Sequence, residues 1–257
     1  MYPEIEIFGT IIKSYSLFAA IAAIVFAAMA WRPFRRLGFK RWQILTLFLL
    51  ICAAFLIGAR LWNVAISPGS YGPERPWYML KMPGLSLYGG IAGALAVTVL
   101  FSKLSKKPLA AVFDSGTIPF AVAFSISRIG CFLNGCCGGV ATSLPWGVRF
   151  PSALDHIHTS FIRLQSPAVH PTQLYELLLA LIGIPICLFV IKKTRPGSGA
   201  LFALYGAWFC LIRLAVLPLR SLPYPDIIKN IIYPALYVLL AAAGIFMFLR
   251  MRAKARA

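Results

Sequence analysis

The chain has 257 residues, of which 60% are hydrophobic and 12% charged, and its mean hydropathy is +0.81. A soluble domain carries about 25% charged residues, so the composition excludes an ordinary soluble domain and points to a polytopic membrane protein. The 25 Lys and Arg against 7 Asp and Glu lie between hydrophobic runs rather than along one face. That pattern argues against nucleic-acid binding and fits cytoplasmic loops and anionic lipid.

A bilayer span needs about 20 mainly apolar residues. In chain order the sequence predicts seven spans, at about 12–31, 43–66, 87–102, 110–130, 172–191, 199–218 and 231–249. The expected architecture is an all-α integral membrane protein forming a single membrane domain over 1–257. The third span is short and opens on Tyr88-Gly89-Gly90, which predicts an oblique entry or a broken start. Residues 1–10 hold Glu4 and Glu6 but no Lys or Arg, so no cleavable signal is expected. No internal repeat is evident.

The connections alternate in charge. Arg32, Arg35, Arg36, Lys40 and Arg41 follow span one, and Lys103, Lys106 and Lys107 follow span three. Lys192, Lys193 and Arg195 follow span five, and Arg250, Arg252, Lys254 and Arg256 follow span seven. The other connections are poorer in cations. The alternation predicts an amino terminus outside and a carboxyl terminus in the cytoplasm. The long segments 67–86 and 131–171, the second holding His156, His158 and His170, then lie on the outer side, where function is expected.

Ionisable groups inside spans are functional candidates by default. They are Arg60, Asp114, Arg128, Glu176 and Arg213. Arg128 and Arg213 sit near the outer ends of their helices, where guanidiniums can grip a lipid phosphate bidentately. Asp114 and Glu176 can alternatively pair with arginines to allow tight packing. Tyr15 reads as an interfacial aromatic, and the glycines after Tyr88 as a close-approach face for a helix or a ligand. Cys52, Cys187 and Cys210 lie in apolar runs as small core residues. Cys131, Cys136 and Cys137 permit a disulfide on an oxidising face, a nucleophilic thiol or a metal site, for which adjacent cysteines are poor spacing. Close-packed small residues in a tight turn are the simplest reading, and no metal or cofactor is expected. Polar residues within spans would also suit a transporter, and no Gly-x-Ser-x-Gly elbow supports a serine hydrolase.

Arg128-Ile-Gly-Cys-Phe-Leu-Asn-Gly resembles the Gly-Arg-x-Gly-Asn-Phe-x-Asn-Gly-Glu signature of the prolipoprotein diacylglyceryl transferase family. Further blocks resemble that family in the same order. They are Ser14-Tyr15-Ser16, Gly58-Ala59-Arg60, Leu85-Ser-Leu-Tyr-Gly-Gly-Ile-Ala-Gly, Pro145-Trp-Gly-Val-Arg-Phe-Pro, His170-Pro-Thr-Gln-Leu-Tyr-Glu, and Tyr205-Gly-Ala through Arg213 and Arg220. The resemblance implies seven helices in a bacterial cytoplasmic (inner) membrane. It implies transfer of diacylglyceryl from phosphatidylglycerol to the lipobox cysteine of a preprolipoprotein signal peptide, with release of glycerol phosphate. It further implies Tyr88, Arg128 and Arg213 as catalytic residues. Tyr15, Arg60, Cys131, Asn134, Gly135, Gly139, Tyr205 and Arg220 would contact substrate, with Glu176 and Gln173 in support. The chain departs from the family at Tyr88 for histidine, Cys131 for asparagine and Cys136 for glutamate, and its Leu214–Leu219 run lacks the family's sixth-helix glutamate. These departures keep two alternatives open: a phospholipid-dependent transferase with another acceptor, and a non-catalytic lipid-binding or transport protein.

Overall fold

The computed structural model describes residues 4–7, 10–66, 85–150, 167–222 and 224–254. Most of the 67–86 segment, together with His156 and His158, lies outside the described residues. Seven long apolar helices dominate: α1 (Ser14–Arg36), α2 (Arg41–Ile66), α3 (Leu87–Leu104), α4 (Leu109–Asn134), α5 (Thr172–Val190), α6 (Ala200–Val216) and α7 (Tyr233–Lys254). The last is entered through a π-helical turn at Ile228–Ile232. At 1.5 Å per residue even the 18-residue α3 is about 27 Å long, close to a bilayer's hydrocarbon thickness. Large apolar side chains such as Leu49, Phe189 and Leu239 face outward, as a lipid-bathed surface requires. The chain is therefore a multi-pass membrane protein.

The seven predicted spans coincide with the seven helices. The sequence did not announce the feature in front of them, an antiparallel hairpin of β1 (Glu4–Ile7) and β2 (Thr10–Lys13). Its register sets Glu4 against Lys13 and runs straight into α1.

Helices pair as α1 with α4, α2 with α3, α4 with α5, α5 with α6, and α6 with α7. The α2–α3 contact is made by glycine. A Cβ on Gly89 would stand 2.0 Å from the Gly58 carbonyl oxygen, and one on Gly93 would stand 2.3 Å from that of Ala54. Lipid is as apolar as leucine, so close backbone approach is what holds such helices together. This explains why α3 is unbroken from Leu87 rather than interrupted at its start. Its glycines are spent on α2, and Ser86 N–H donates to the Ala59 carbonyl at 3.0 Å to fix the entry.

Asp114 has a structural role of a different kind from pairing with arginine. Its two carboxylate oxygens accept from Gly199 N–H at 2.9 Å and Phe202 N–H at 3.0 Å. It thereby caps the amino terminus of α6 from a neighbouring helix.

Up-and-down threading brings the starts of α1, α3, α5 and α7 to the same face as the ends of α2, α4 and α6. Over that face three connecting segments are woven together. Gly139 N–H donates to the His170 carbonyl and Val140 N–H to the Leu219 carbonyl, both at 2.9 Å, and Val148 and Val169 exchange two bonds at 3.0 Å. A Cβ on Gly139 would meet Leu219 O at 2.5 Å and His170 Cβ at 2.6 Å, so only glycine fits this crossing.

Candidate functional site

The site is centred on Glu176, in the second turn of α5. Thr172, Gln173 and Glu176 lie at i, i+1 and i+4, on one helical face, and each is 1% exposed. Three guanidiniums converge on the Glu176 carboxylate. Arg213 donates from Nη1 to Oε1, and Arg220 Nη1 donates to the same oxygen at 2.9 Å. Arg128 Nε stands 2.8 Å from Oε2, as a charge contact rather than an aligned hydrogen bond.

Glu176, Arg128 and Arg213 are buried, and Arg220 is nearly so, with its side chain 9% exposed. Burying a charge costs several kcal/mol unless it is well paired. Among the described residues three guanidiniums face one carboxylate, an excess of two positive charges before the neighbouring Cys137 thiol is counted. Rings take up part of that excess. Arg128 lies 4.7 Å from the Phe124 ring centroid and Arg213 lies 5.3 Å from that of Tyr88, as cation–π contacts.

Tyr88 joins the arginines to an aromatic wall. Its hydroxyl accepts from Arg213 Nε at 2.7 Å and hydrogen-bonds the Tyr237 hydroxyl. Tyr233 packs beside it, with ring centroids 5.2 Å apart. Tyr233 and Tyr237 are one turn apart at the start of α7, both 2% exposed. The first residue of α3's glycine block and the first turns of α7 thus meet at one hydroxyl pair.

The cysteine turn closes the site from the end of α4. Gly135 adopts φ +73° as the helix ends. Gly135 N–H donates to the Phe132 carbonyl and Cys136 N–H to the Cys131 carbonyl, each at 3.1 Å. This is a Schellman motif, and its geometry sets the residue after the glycine against the residue five before it. Here those residues are Cys136 and Cys131. Cys137 follows with φ +62°, a left-handed conformation that a non-glycine residue adopts at a cost.

The turn is tied to α5, because Gln173 Nε2 donates to the Cys136 carbonyl at 2.7 Å and Thr172 Oγ1 to the Cys137 carbonyl at 2.8 Å. The three Sγ atoms lie within 4.8 Å of one another. Arg128 Nη1 reaches the Cys131 sulfur at 3.9 Å. The thiols of Cys131 and Cys136, and behind them Arg220 and Arg128, hold the Cys137 thiol well below its ordinary range.

The structure therefore brings Tyr88, Arg128, Arg213, Arg220 and Cys131 together. Tyr15, in the first turn of α1, lies within electrostatic reach of Arg128 and the three cysteines. Other expected contacts fall elsewhere. Tyr205 donates to the Ala180 carbonyl at 2.9 Å. It sits two turns and more below Arg213, about 12 Å along α6, and so serves the α5–α6 packing. Gly135 caps α4 and Gly139 fills a backbone crossing, so neither opens room for a ligand. Asn134 ends α4, and Arg60 is half-buried on α2, outside the set of guanidiniums on Glu176.

Three residues central to the site were absent from the expected catalytic and substrate-contact set: Glu176, Tyr233 and Tyr237. Glu176 carried its own signal, as an acid in the first turns of an apolar helix in a chain with 7 acids. The tyrosine pair carried only its i, i+4 spacing at a span's start.

Comparison with known proteins shows the family. The prolipoprotein diacylglyceryl transferase family profile matches residues 4–251. The chain is 34% identical over 229 residues to the phosphatidylglycerol–prolipoprotein diacylglyceryl transferase of Cutibacterium acnes, covering 86% of this chain and 76% of that protein. It is 30% identical over 224 residues to the protein of the same name from Bifidobacterium adolescentis, covering 81% and 66%. With the Clostridioides difficile protein of that name it shares 26% over 216 residues, covering 84% and 81%. The chain belongs to the prolipoprotein diacylglyceryl transferase family.

Proposed function

We propose that this protein transfers the diacylglyceryl group of phosphatidylglycerol to the lipobox cysteine thiol of a preprolipoprotein in a bacterial inner membrane, with the arginine site on the outer face. One observation carries the reading: three buried or nearly buried guanidiniums around a single carboxylate, an excess of two positive charges among the described residues. That excess is unfavourable in a membrane protein unless an anion completes it. A phospholipid phosphate is the anion that a site at a bilayer face meets.

In the transfer, the acceptor sulfur attacks the glyceryl carbon attached to the phosphate oxygen. The carbon–oxygen bond breaks, its electron pair stays on that oxygen, and a thioether forms. Charge grows on the phosphate as the bond lengthens. Arg128, Arg213 and Arg220 are already in place to meet it, held by Glu176, so no reorganisation is needed at the moment of reaction. The Tyr88 hydroxyl stands where the family has a histidine. It serves as a relay, taking the thiol proton while passing its own to a phosphate oxygen. Arg213 and Tyr237 orient it. Atoms and charge balance, with glycerol phosphate as the second product.

The test uses the full chain in proteoliposomes with labelled phosphatidylglycerol and a lipobox peptide, beside the same peptide with serine for cysteine. The cysteine peptide alone is expected to gain the diacylglyceryl mass. Arg128→Ala is expected to lower turnover about 100- to 1,000-fold, the size of losing one preplaced stabilising group. Tyr88→Phe should lower turnover with lipid binding kept, and Tyr88→His should retain activity. Release of glycerol phosphate without peptide modification would move the acceptor elsewhere. An unchanged rate in Arg128→Ala would remove the phosphate-clamp role.

A further inference from the structure

The transfer as derived uses the arginines and Tyr88 and leaves three thiols without a task. Cys131, Cys136 and Cys137 have features that close packing does not explain. The Schellman cap sets Cys136 against Cys131. The third thiol is brought in by a residue held in the left-handed region at φ +62°, where a glycine would fit without strain. Two side chains from α5, Thr172 and Gln173, lock the carbonyls of Cys137 and Cys136. Strain that is held in place by its surroundings is a pointer to function. Here it serves to direct a third sulfur to the same point as the other two. A disulfide uses two sulfurs and strands the third, and none of the three is paired.

We propose that Cys131, Cys136 and Cys137 bind one soft, thiophilic metal ion through three thiolates, with monovalent copper as the best-matched ion. The distances fit. A metal–sulfur bond of about 2.3 Å places three sulfurs in trigonal array about 4.0 Å apart. The sulfurs already lie within 4.8 Å of one another, so small side-chain rotations close the site. Among the described residues the cluster holds three sulfurs and no histidine or carboxylate, a donor set that selects soft ions over hard ones.

Charge selects further. The neighbouring Arg128, Arg213 and Arg220 exceed Glu176 by two positive charges, which repels a free cation but welcomes an anionic complex. A monovalent ion on three thiolates carries two negative charges and cancels the excess, whereas a divalent ion leaves one positive charge over. Arg128 Nη1, 3.9 Å from the Cys131 sulfur, supplies the outer-sphere donor that such thiolates need. Binding releases one proton for each thiol that was still protonated, and it calls for no oxidant or reductant. The thiols are side chains that the transfer does not consume, and the charge match applies to the site with no phospholipid bound, since a phosphate draws on the same arginine excess.

The experiment titrates the reduced full-length protein in detergent, under anaerobic conditions, with Cu(I) against bicinchoninate as a competing chelator. One equivalent per chain is expected to be held. X-ray absorption on that wild-type sample should give three sulfur neighbours at about 2.3 Å. Cys136→Ser and Cys137→Ser, each checked by gel filtration and thermal melt, should each weaken Cu(I) about a hundredfold or more, while Cys52→Ser on α2 should not. Zn(II) tested in the same way should bind more weakly than Cu(I).

Failure of the wild type to withdraw copper from the chelator overturns the site. So does equal retention by the folded cluster variants, and so does a coordination shell of nitrogen or oxygen. Zn(II) binding more tightly than Cu(I) overturns the charge argument for a monovalent ion. The spectrum of the unsubstituted protein keeps the question decidable even where a variant fails to fold.

Discussion

At the scale of single residues the unusual choice is Glu176. Most buried carboxylates meet one cation, and this one meets three. Its removal should therefore be felt twice. Glu176→Gln leaves Arg128, Arg213 and Arg220 with a neutral acceptor, three like charges confined without a counter-ion. Removing one partner of a buried pair costs about 3–5 kcal/mol, and that is the loss of stability expected in a detergent melt. The same variant should regain more stability from phosphatidylglycerol than from zwitterionic phosphatidylcholine, because an anionic phosphate takes the place of the lost carboxylate. A variant that melts with the wild type would mean that Glu176 does not hold the arginines. Tyr88 is the other telling residue. A hydroxyl between Arg213 and Tyr237 keeps the hydrogen-bonding capacity of a histidine at that position, which is why a change of residue type here is compatible with the same chemistry.

At the scale of helices, packing is decided by where glycine is and is not needed. Gly58 and Gly89 touch backbone to backbone, and a Cβ on Gly89 would also meet Trp62 Cβ at 2.3 Å. Neither neighbour is the free end of a flexible side chain, so α2 and α3 must separate to admit a larger residue. Gly89→Val is expected to cost at least the 1–3 kcal/mol typical of overpacking and to broaden the gel-filtration peak. Gly116 and Gly206 are also mid-helix, but a Cβ there meets nothing within 4 Å. Gly116→Ala should be neutral or stabilising by up to about 1 kcal/mol. Equal damage from the two substitutions would discard the packing argument.

The helices themselves were legible because 20-residue apolar runs have one explanation in a chain this poor in charge. Their ends were legible to within a few residues from the basic clusters. The hairpin at Glu4–Ile7 and Thr10–Lys13 was not, since two strands of 4 residues fall below the length at which alternation stands out. Arg128 and Arg213 could be read from their depth in apolar spans. Tyr205 and Arg213 are eight residues apart on one helix, so the rise of about 1.5 Å per residue already sets them about 12 Å apart. The cysteine turn was read as mere close packing because the Schellman bonds that fold Cys136 back onto Cys131 are backbone bonds with no side-chain signature beyond Gly135.

At the scale of the molecule, threading alone decides where the chemistry lies. Odd helices begin and even helices end on one face, so Tyr15, Tyr88, Arg128, Glu176, Arg213 and Tyr237 converge there although they span most of the chain. The opposite face receives Arg35 and Arg36 in the last turn of α1, Lys103 in the last turn of α3, Lys192 and Lys193 after α5, and Arg252 and Lys254 in the last turn of α7. Cationic loops favour the cytoplasm, and the orientation proposed on that ground has the arginine site facing the outer leaflet, the side on which a translocated preprolipoprotein would present its cysteine. The orientation is open to direct measurement. A green fluorescent reporter fused after Ala257 should fluoresce, because it folds only in the cytoplasm, and alkaline phosphatase fused at the same point should be inactive. Phosphatase fused to a chain cut after Leu144, beyond the end of α4, should be active. The reverse pattern would place the site on the cytoplasmic face, where phosphatidylglycerol is still available but a translocated acceptor thiol is not. That result would leave the phosphate site standing and remove the lipoprotein as its acceptor.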